Sequence, residues 1–354
     1  MFFLKKKILA AIFAGLMAFG TFGDVQAATR DEIAAINVTK PADFKYWSDK
    51  SKVKQQIINY VKDVTNKRSK NFIPVEDRIA VFDMDGTILC ETAPSNLGYM
   101  FALYTMSENP DNPLYRDKLD VWKNALQSKN FTPEMEKELK DVVWKLYDGR
   151  TDEEFFSNME KFLTTQNVVG LSNLKYGESF YLPMIEIISY LNANDFTVYV
   201  ITGSERRITR AVLGGAVPVQ FNHIIGCDIP YKWENNGGEK YFVKGDRFLI
   251  GDHRLGSNTR INKIYSIKRE IGKQPVLAFG NSSGDLDMLN YTITDNKYKT
   301  AAFMVLCDDY TREIGNKKLE ETVRQASQKN GWTTISMKND FKTIYGDNVK
   351  KSGA

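Results

Sequence analysis

The chain of 354 residues carries only two histidines and three cysteines. His223 and His253 make no metal-ligand spacing, and a histidine-containing catalytic triad would have to rest on one of them alone. Cys90, Cys227 and Cys307 are too few for a disulfide scaffold, and the odd count leaves at least one thiol free. Cys227 and Cys307 lie in apolar, strand-like runs and are expected to be buried. No dense run of basic residues marks one face, and the formal charge is only +4, so nucleic acid is not an expected partner. Internal repeats and low-complexity segments are absent as well. What remains is an ordinary globular composition, 42% hydrophobic and 26% charged, long enough for two domains or for one large domain with an insertion.

The first residues form a local pattern of their own. Lys5, Lys6 and Lys7 precede an apolar run over 8–22, and Val25-Gln26-Ala27 supplies a small-residue cleavage site before Ala28. This reads as a secretory leader over 1–27. The apolar run is shorter than the roughly 20 residues a spanning helix needs, and no cysteine follows it to take a lipid. The mature chain is therefore expected in the periplasm or medium, without a stable membrane anchor. Removing three Lys and one Asp with the leader leaves a charge of +2.

The stretch I-A-V-F-D-M-D-G-T over 79–87 places two carboxylates at the end of an apolar run. Continuous apolar residues suit a strand covered on both faces, so Asp83 and Asp85 are expected at the carboxyl edge of a parallel sheet, with Gly86 turning the chain. Two acids so close repel unless a proton or a cation intervenes, and a hard ion such as Mg2+ suits carboxylate oxygens. Residues 28–77 read as a helical extension, with helices over 43–54 and 55–64. Residues 91–175 are rich in helix formers and aromatics and read as an all-helical insertion. In it Thr132 and Pro133 open one helix and Asp152-Glu153-Glu154 another. Most of its aromatics, among them Tyr99, Phe101, Trp122, Trp144, Tyr147 and Phe155, are expected in a core.

The α/β pattern resumes with a helix over 183–191. A strand over 196–201 runs into a turn, Thr202-Gly203-Ser204, whose hydroxyls and free amides at the next helix start suit a phosphate. Within 219–255 strands are expected over 221–229, 241–243 and 248–250, with a turn over 233–238, as a β-hairpin excursion. A helix over 259–271 then carries Lys263 and Lys268. The strand over 276–279 empties into G-N-S-S-G-D-L-D over 280–287, a loop dense in oxygen ligands. An acid pair, a hydroxyl turn, a lysine and an amide-plus-acid loop thus follow one another along one sheet.

In these motifs the chain resembles the haloacid dehalogenase superfamily of phosphohydrolases. Residues 83–87 match the first motif, 200–204 the second and 280–287 the fourth, with the phosphoserine phosphatase-like members looking closest. The resemblance implies an α/β, Rossmann-like three-layer core with a parallel sheet over 78–90 and 176–350, and an inserted all-helical cap over 91–175. It also implies Asp83 as nucleophile, Asp85 as general acid and base, and Lys263, in preference to Lys268, as the active-site cation. Asp83, Asp85, Asn281 and Asp285 are the implied Mg2+ ligands, and Asn281 stands where relatives often carry Asp. Thr202 and Gly203 would hold the phosphoryl group and Glu91 would face the substrate. The implied activity is hydrolysis of a small phosphate ester, phosphoserine- or phosphocholine-like, through an aspartyl-phosphate. A non-catalytic phospho-ligand-binding protein and a phosphotransferase remain as alternatives.

Overall fold

The computed structural model describes residues 27–91, 96–128 and 130–352. All but the last residue of the expected leader lies outside them. Two helices, α1 (Arg30–Ala34) and α2 (Lys52–Thr65), precede strand β1 (Ile79–Phe82). Four more follow it: α3 (Leu97–Glu108), α4 (Arg116–Gln127), α5 (Pro133–Val143) and α6 (Asp152–Thr165). Next come α7 (Leu182–Ala193), β2 (Thr197–Glu205), α8 (Arg206–Leu213) and β3 (Ile224–Cys227), then the hairpin strands β4 (Tyr231–Glu234) and β5 (Arg247–Ile250). The chain closes with α9 (Ile261–Ser266), β6 (Leu277–Gly280), α10 (Leu286–Ile293), β7 (Ala301–Leu306), α11 (Lys317–Asn330), β8 (Thr333–Ser336) and α12 (Met337–Asp340).

Six strands form one parallel sheet in the order β3-β2-β1-β6-β7-β8. The chain winds outward from β1 to one side through β2 and β3 and to the other through β6, β7 and β8. The strand order therefore reverses at β1, and the crevice outside its carboxyl end is where such sheets take ligands. Successive side chains alternate between two apolar layers. Ala80 and Phe82 join the cluster shared with α2 and α7, whereas Ile79 and Val81 join the one shared with α10 and α11. That alternation is why β1 reads as a continuous apolar run. Phe82, Phe279 and Phe303 stack across three neighbouring strands at 4.2 and 4.9 Å.

The helices between β1 and α7 share the first of these layers: Phe101, Trp122 and Phe155 belong to the same buried cluster as Phe82. Thr132 caps α5 through the Met135 amide, and Thr151 with Glu154 makes a capping box on α6. The N-terminal extension packs on the sheet layer through Trp47, whose indole donates to Pro183 O at 2.8 Å.

Several boundaries differ from those expected. Residues 44–51 are not helical: a 3₁₀ turn ends at Asp43, and Ser51 caps α2. Thr202-Gly203-Ser204 is not a turn but the extended end of β2, and Glu205 caps α8 through the Ile208 amide. The hairpin pairs Tyr231–Glu234 with Arg247–Ile250, so the turn expected over 233–238 begins inside a strand and 241–243 is not a strand. The Asp246 carboxylate gathers the amides of Asn236, Gly237 and Val243, which folds 235–246 into a loop. The helix after Arg260 widens past Ser266 into a π turn over Ile267–Ile271. Cys227 is buried, but Cys307 is half-exposed.

Candidate active site

The register of the sheet sets the site. Phe82 lies opposite Val200 on one side and Phe279 on the other, so the residues that follow each strand reach the same edge. Asp83 continues β1 and its amide donates to Phe279 O at 2.9 Å. Gly86 turns the chain with φ +74°, where a β-carbon would stand 1.9 Å from Asn281 Nδ2. The glycine thus lets the β1 loop and the β6 loop touch.

Lys263, from α9, ends between these loops. Its ammonium donates to Asp83 Oδ1, Asp285 Oδ1 and Ile201 O, each at 2.6 Å, and the residue is 1% exposed. Burial disfavours the ammonium, but the Asp285 and Asp83 charges outweigh it and hold Lys263 protonated. Burial and the Asp285 charge push the Asp83 carboxyl upward, against the pull of Lys263. Lys268 lies elsewhere, 5.3 Å over the Tyr291 ring.

Asp85 accepts from Ser204 Oγ at 2.7 Å through Oδ2, while its Oδ1 is buried without a hydrogen-bond partner among the described residues. Burial raises its carboxyl as well, with Ser204 opposing. Asp285 uses its second oxygen to bind the amides of Asn281 and Ser282, both at 3.1 Å, which closes the β6 loop. A side chain at Gly280 would strike Asp285 Cβ at 2.5 Å. Asn281 faces Glu91 through Nδ2 (3.0 Å) and Thr87 through Oδ1 (3.4 Å). Burial, followed by the Asp85 and Asp285 charges, lifts the Glu91 carboxyl to about 7. Thr202 is buried, its hydroxyl accepts the Ser204 amide at 3.0 Å, and its carbonyl is held by Asn258 at 2.9 Å. At Gly203 a β-carbon would meet Thr259 Cγ2 at 2.7 Å.

Sequence reasoning missed Ser204 and Asn258. The T-G-S motif offered Ser204 as one hydroxyl among others, but its pairing with Asp85 spans 119 positions and no local pattern signals it. Asp287 lies outside the group, in the first turn of α10, 3.3 Å from Arg260.

The four acids and Lys263 lie together, with Asp83, Asp85, Glu91, Lys263 and Asp285 on the wall of a cavity of about 390 Å³. Its other walls come from α3, from the end of α5 and from the loop after β5, whereas neither histidine reaches it. A larger groove, about 690 Å³, lies between α2 and the amino end of β7, the edge of the sheet where such folds do not place chemistry. Whether the residues suit a hard divalent cation can be judged from the charges. Four carboxylates, those of Asp83 and Asp285 buried and those of Asp85 and Glu91 half-buried, face one ammonium, and Asp85 Oδ1 is a carboxyl oxygen without a partner among the described residues. Surplus buried negative charge with free oxygen donors is the chemistry such an ion takes. Among the described residues no three acids already stand at metal-holding spacing, so the cation would draw Asp83 and Asp85 together with an oxygen of Asn281 or Asp285.

No curated protein matches the chain by sequence. Among solved structures, a conserved functionally unknown protein from Anaerococcus prevotii is 14% identical, with a TM-score of 0.50 over 80% of this chain and 91% of that one. A protein of unknown function from Bordetella pertussis is 16% identical over 73% and 97%, with a TM-score of 0.47. A probable phosphoserine phosphatase from Vibrio cholerae is 10% identical over 75% and 62%, with a TM-score of 0.36. At such identities the likeness is one of fold, and it rests on the Anaerococcus protein. The family model for haloacid dehalogenase-like hydrolases matches residues 80–290, which span every acid of the site and Lys263. That is more than half of the sequence, and the chain belongs to the haloacid dehalogenase-like hydrolases.

Proposed function

We propose that the protein is an exported, Mg2+-dependent phosphomonoesterase that hydrolyses a small organic phosphate through an aspartyl-phosphate. The observation that carries this reading is the buried Lys263 ammonium joining Asp83 to Asp285, beside an Asp85 with one oxygen unpartnered. Asp83 is then oriented by its lysine, and Asp85 is set apart from that ion pair by its own bond to Ser204.

In the first step an Asp83 carboxylate oxygen forms a bond to phosphorus while the ester P–O bond breaks. Asp85 gives its proton to the departing alkoxide oxygen, which releases the alcohol. In the second step Asp85, now a carboxylate, takes a proton from water as the water oxygen bonds to phosphorus. The Asp83–phosphorus bond breaks, and inorganic phosphate and the Asp83 carboxylate are restored. The upward displacement of the Asp85 carboxyl by burial suits a group that must donate before it accepts. Lys263 offsets charge on Asp83 throughout, and Thr202, Gly203 and Ser204 offer hydroxyls and amides to the phosphoryl oxygens. A bound Mg2+, held by Asp83, Asp85 and an oxygen of Asn281 or Asp285, would supply electrostatic neutralisation of the phosphoryl group.

The helices between β1 and α7 serve as a lid that keeps water from the reacting phosphorus. Export rests on the leader-like pattern over 1–27. Among the described residues no helix is long and apolar enough to cross a membrane. The test is Mg2+-dependent phosphate release from a generic aryl phosphate by the purified mature chain, with loss in Asp83→Asn. Full activity in that variant would sink the mechanism.

A further inference from the structure

The half of the cavity away from Asp83 has a chemistry of its own. Arg254 follows β5 on a loop pinned beside β3 by the Leu255 amide, which donates to Asp228 O at 2.8 Å. Its Nη2 donates to Cys227 Sγ at 2.9 Å, and Cys227 Sγ contacts Gly203 O at 3.1 Å, so the guanidinium is tied to the end of β2. Its other face lies 5.3 Å from the ring centre of Trp144, at the end of α5. A thiol is a weak acceptor for a guanidinium that has five donors to place. Among the described residues no carboxylate pairs with Arg254, whereas Arg206 and Arg207, on the neighbouring helix, each hold two.

Two polar atoms here are buried and make no hydrogen bond of good geometry among the described residues: Arg254 Nε and the hydroxyl of Tyr147, a residue 2% exposed whose hydroxyl also faces the Thr105 side chain. Both residues line the same cavity, and both unmatched atoms are able to donate. Lys140 stands on that wall as well and makes no ion pair among the described residues. Glu136, one turn before it, is exposed and pairs with neither cation. The acids nearer β1 belong to the reacting end.

We propose that Arg254, with Tyr147, receives a second anionic group of the substrate. The favoured esters then carry a carboxylate or another acid opposite the phosphate, not an ammonium. This rests on the phosphomonoesterase reading and narrows its substrate class. A quaternary ammonium would need an open aromatic face, and the Trp144 face is already covered by the protein's own cation. An anionic oxygen would satisfy both unmatched donors and the guanidinium charge together.

The experiment measures binding, so it does not depend on turnover. Calorimetry on the mature chain with Mg2+ compares propylphosphonate with analogues ending in a carboxylate, a second phosphonate or an ammonium. The acid-ended ligands are expected to bind roughly 10- to 100-fold more tightly than propylphosphonate, as a charge-assisted hydrogen bond implies. The carboxylate and phosphonate arms show which acid is preferred. Arg254→Gln should collapse that ratio towards one, Tyr147→Phe should reduce it, and Arg254→Lys should retain part of it. Three results overturn the proposal: no preference for the acid ends, a preference for the ammonium end, or an equal weakening of all four ligands in Arg254→Gln. Acid-ended binding without hydrolysis of the matching esters would instead overturn the phosphatase reading alone.

Discussion

The Lys263 ammonium lies 2.6 Å from Asp83 Oδ1 at a position with almost no access to water. Removing one partner of a buried pair leaves the other charge uncompensated, which costs about 3–5 kcal/mol. Lys263→Met is therefore expected to lose stability of that order in denaturant unfolding and to lose phosphatase activity. Lys268→Met, on the outer face of the π turn, is expected to change both little. Equal effects at the two positions would contradict the assignment.

Asp85 as the proton donor makes a prediction about leaving groups. An alkoxide needs the proton far more than a nitrophenolate does. Asp85→Asn is expected to lose about 10²–10⁴ in rate on alkyl phosphates and distinctly less on an aryl phosphate. Steady-state kinetics on the two substrate types decides this, and an equal loss on both would assign Asp85 to another task.

Gly86 and Gly238 offer a controlled comparison. Both have φ near +74°, but a β-carbon at Gly86 strikes the Asn281 amide, whereas at Gly238 nothing lies within 4 Å. Gly86→Ala is expected to cost roughly 1–3 kcal/mol beyond Gly238→Ala, and to lower activity because the β1 and β6 loops are pushed apart. Chemical denaturation of the two variants reads the difference directly.

Chelation should abolish activity, and added Mg2+ should restore it. Binding to the folded chain alone also raises stability, by about 2.7 kcal/mol at a hundredfold excess over Kd. That increment is expected in wild-type melts and expected to shrink in Asp85→Asn. A melt insensitive to Mg2+ in the wild type would count against the metal site.

Glu186 gives a pH dependence remote from the site. Burial raises its carboxyl from 4.5 to about 7, opposed by the Lys45 and Tyr46 amides that it accepts. The folded state holds a proton that the unfolded state releases. The stabilising contribution is therefore complete below pH 4.5 and is lost as the pH rises through about 7. The stability of wild type relative to Glu186→Gln should fall over that window by up to about 3 kcal/mol. A constant difference from pH 4 to pH 8 would refute it.

The strands that carry the site were legible because each is a short apolar run that ends abruptly in polar residues, as β1 does at Asp83 and β6 does at Asn281. Lys263 was legible only through the family's order of motifs, since a helix lysine has no local mark of burial. Ser204 was legible only as one hydroxyl of a phosphate-suited turn, and Arg254 was not legible at all. What they do depends on Asp85 and Trp144, more than a hundred positions away. The strand expected over 241–243 is absent: Tyr241-Phe242-Val243 has the composition of a strand, but Asp246 draws the surrounding amides into a loop that removes them from pairing.

The backbone around Ile250 has a consequence for how large a molecule can enter. The Gly149 amide donates to Ile250 O at 2.9 Å and the Ile250 amide donates to Arg150 O at 2.8 Å, so the hairpin and the helical insertion are stitched together by their main chains. Asp152, at the start of α6, adds bonds to Arg207 at 3.0 Å and to the Tyr231 hydroxyl at 2.7 Å. The mouth of the cavity is thus walled by two segments joined through their main chains, and Asp152 and Arg254 brace them against α8 and the end of β3. Trp144, at the end of α5, and Arg254, held at β3, face each other across that rim, so an ester too wide for the cavity enters only by parting the two.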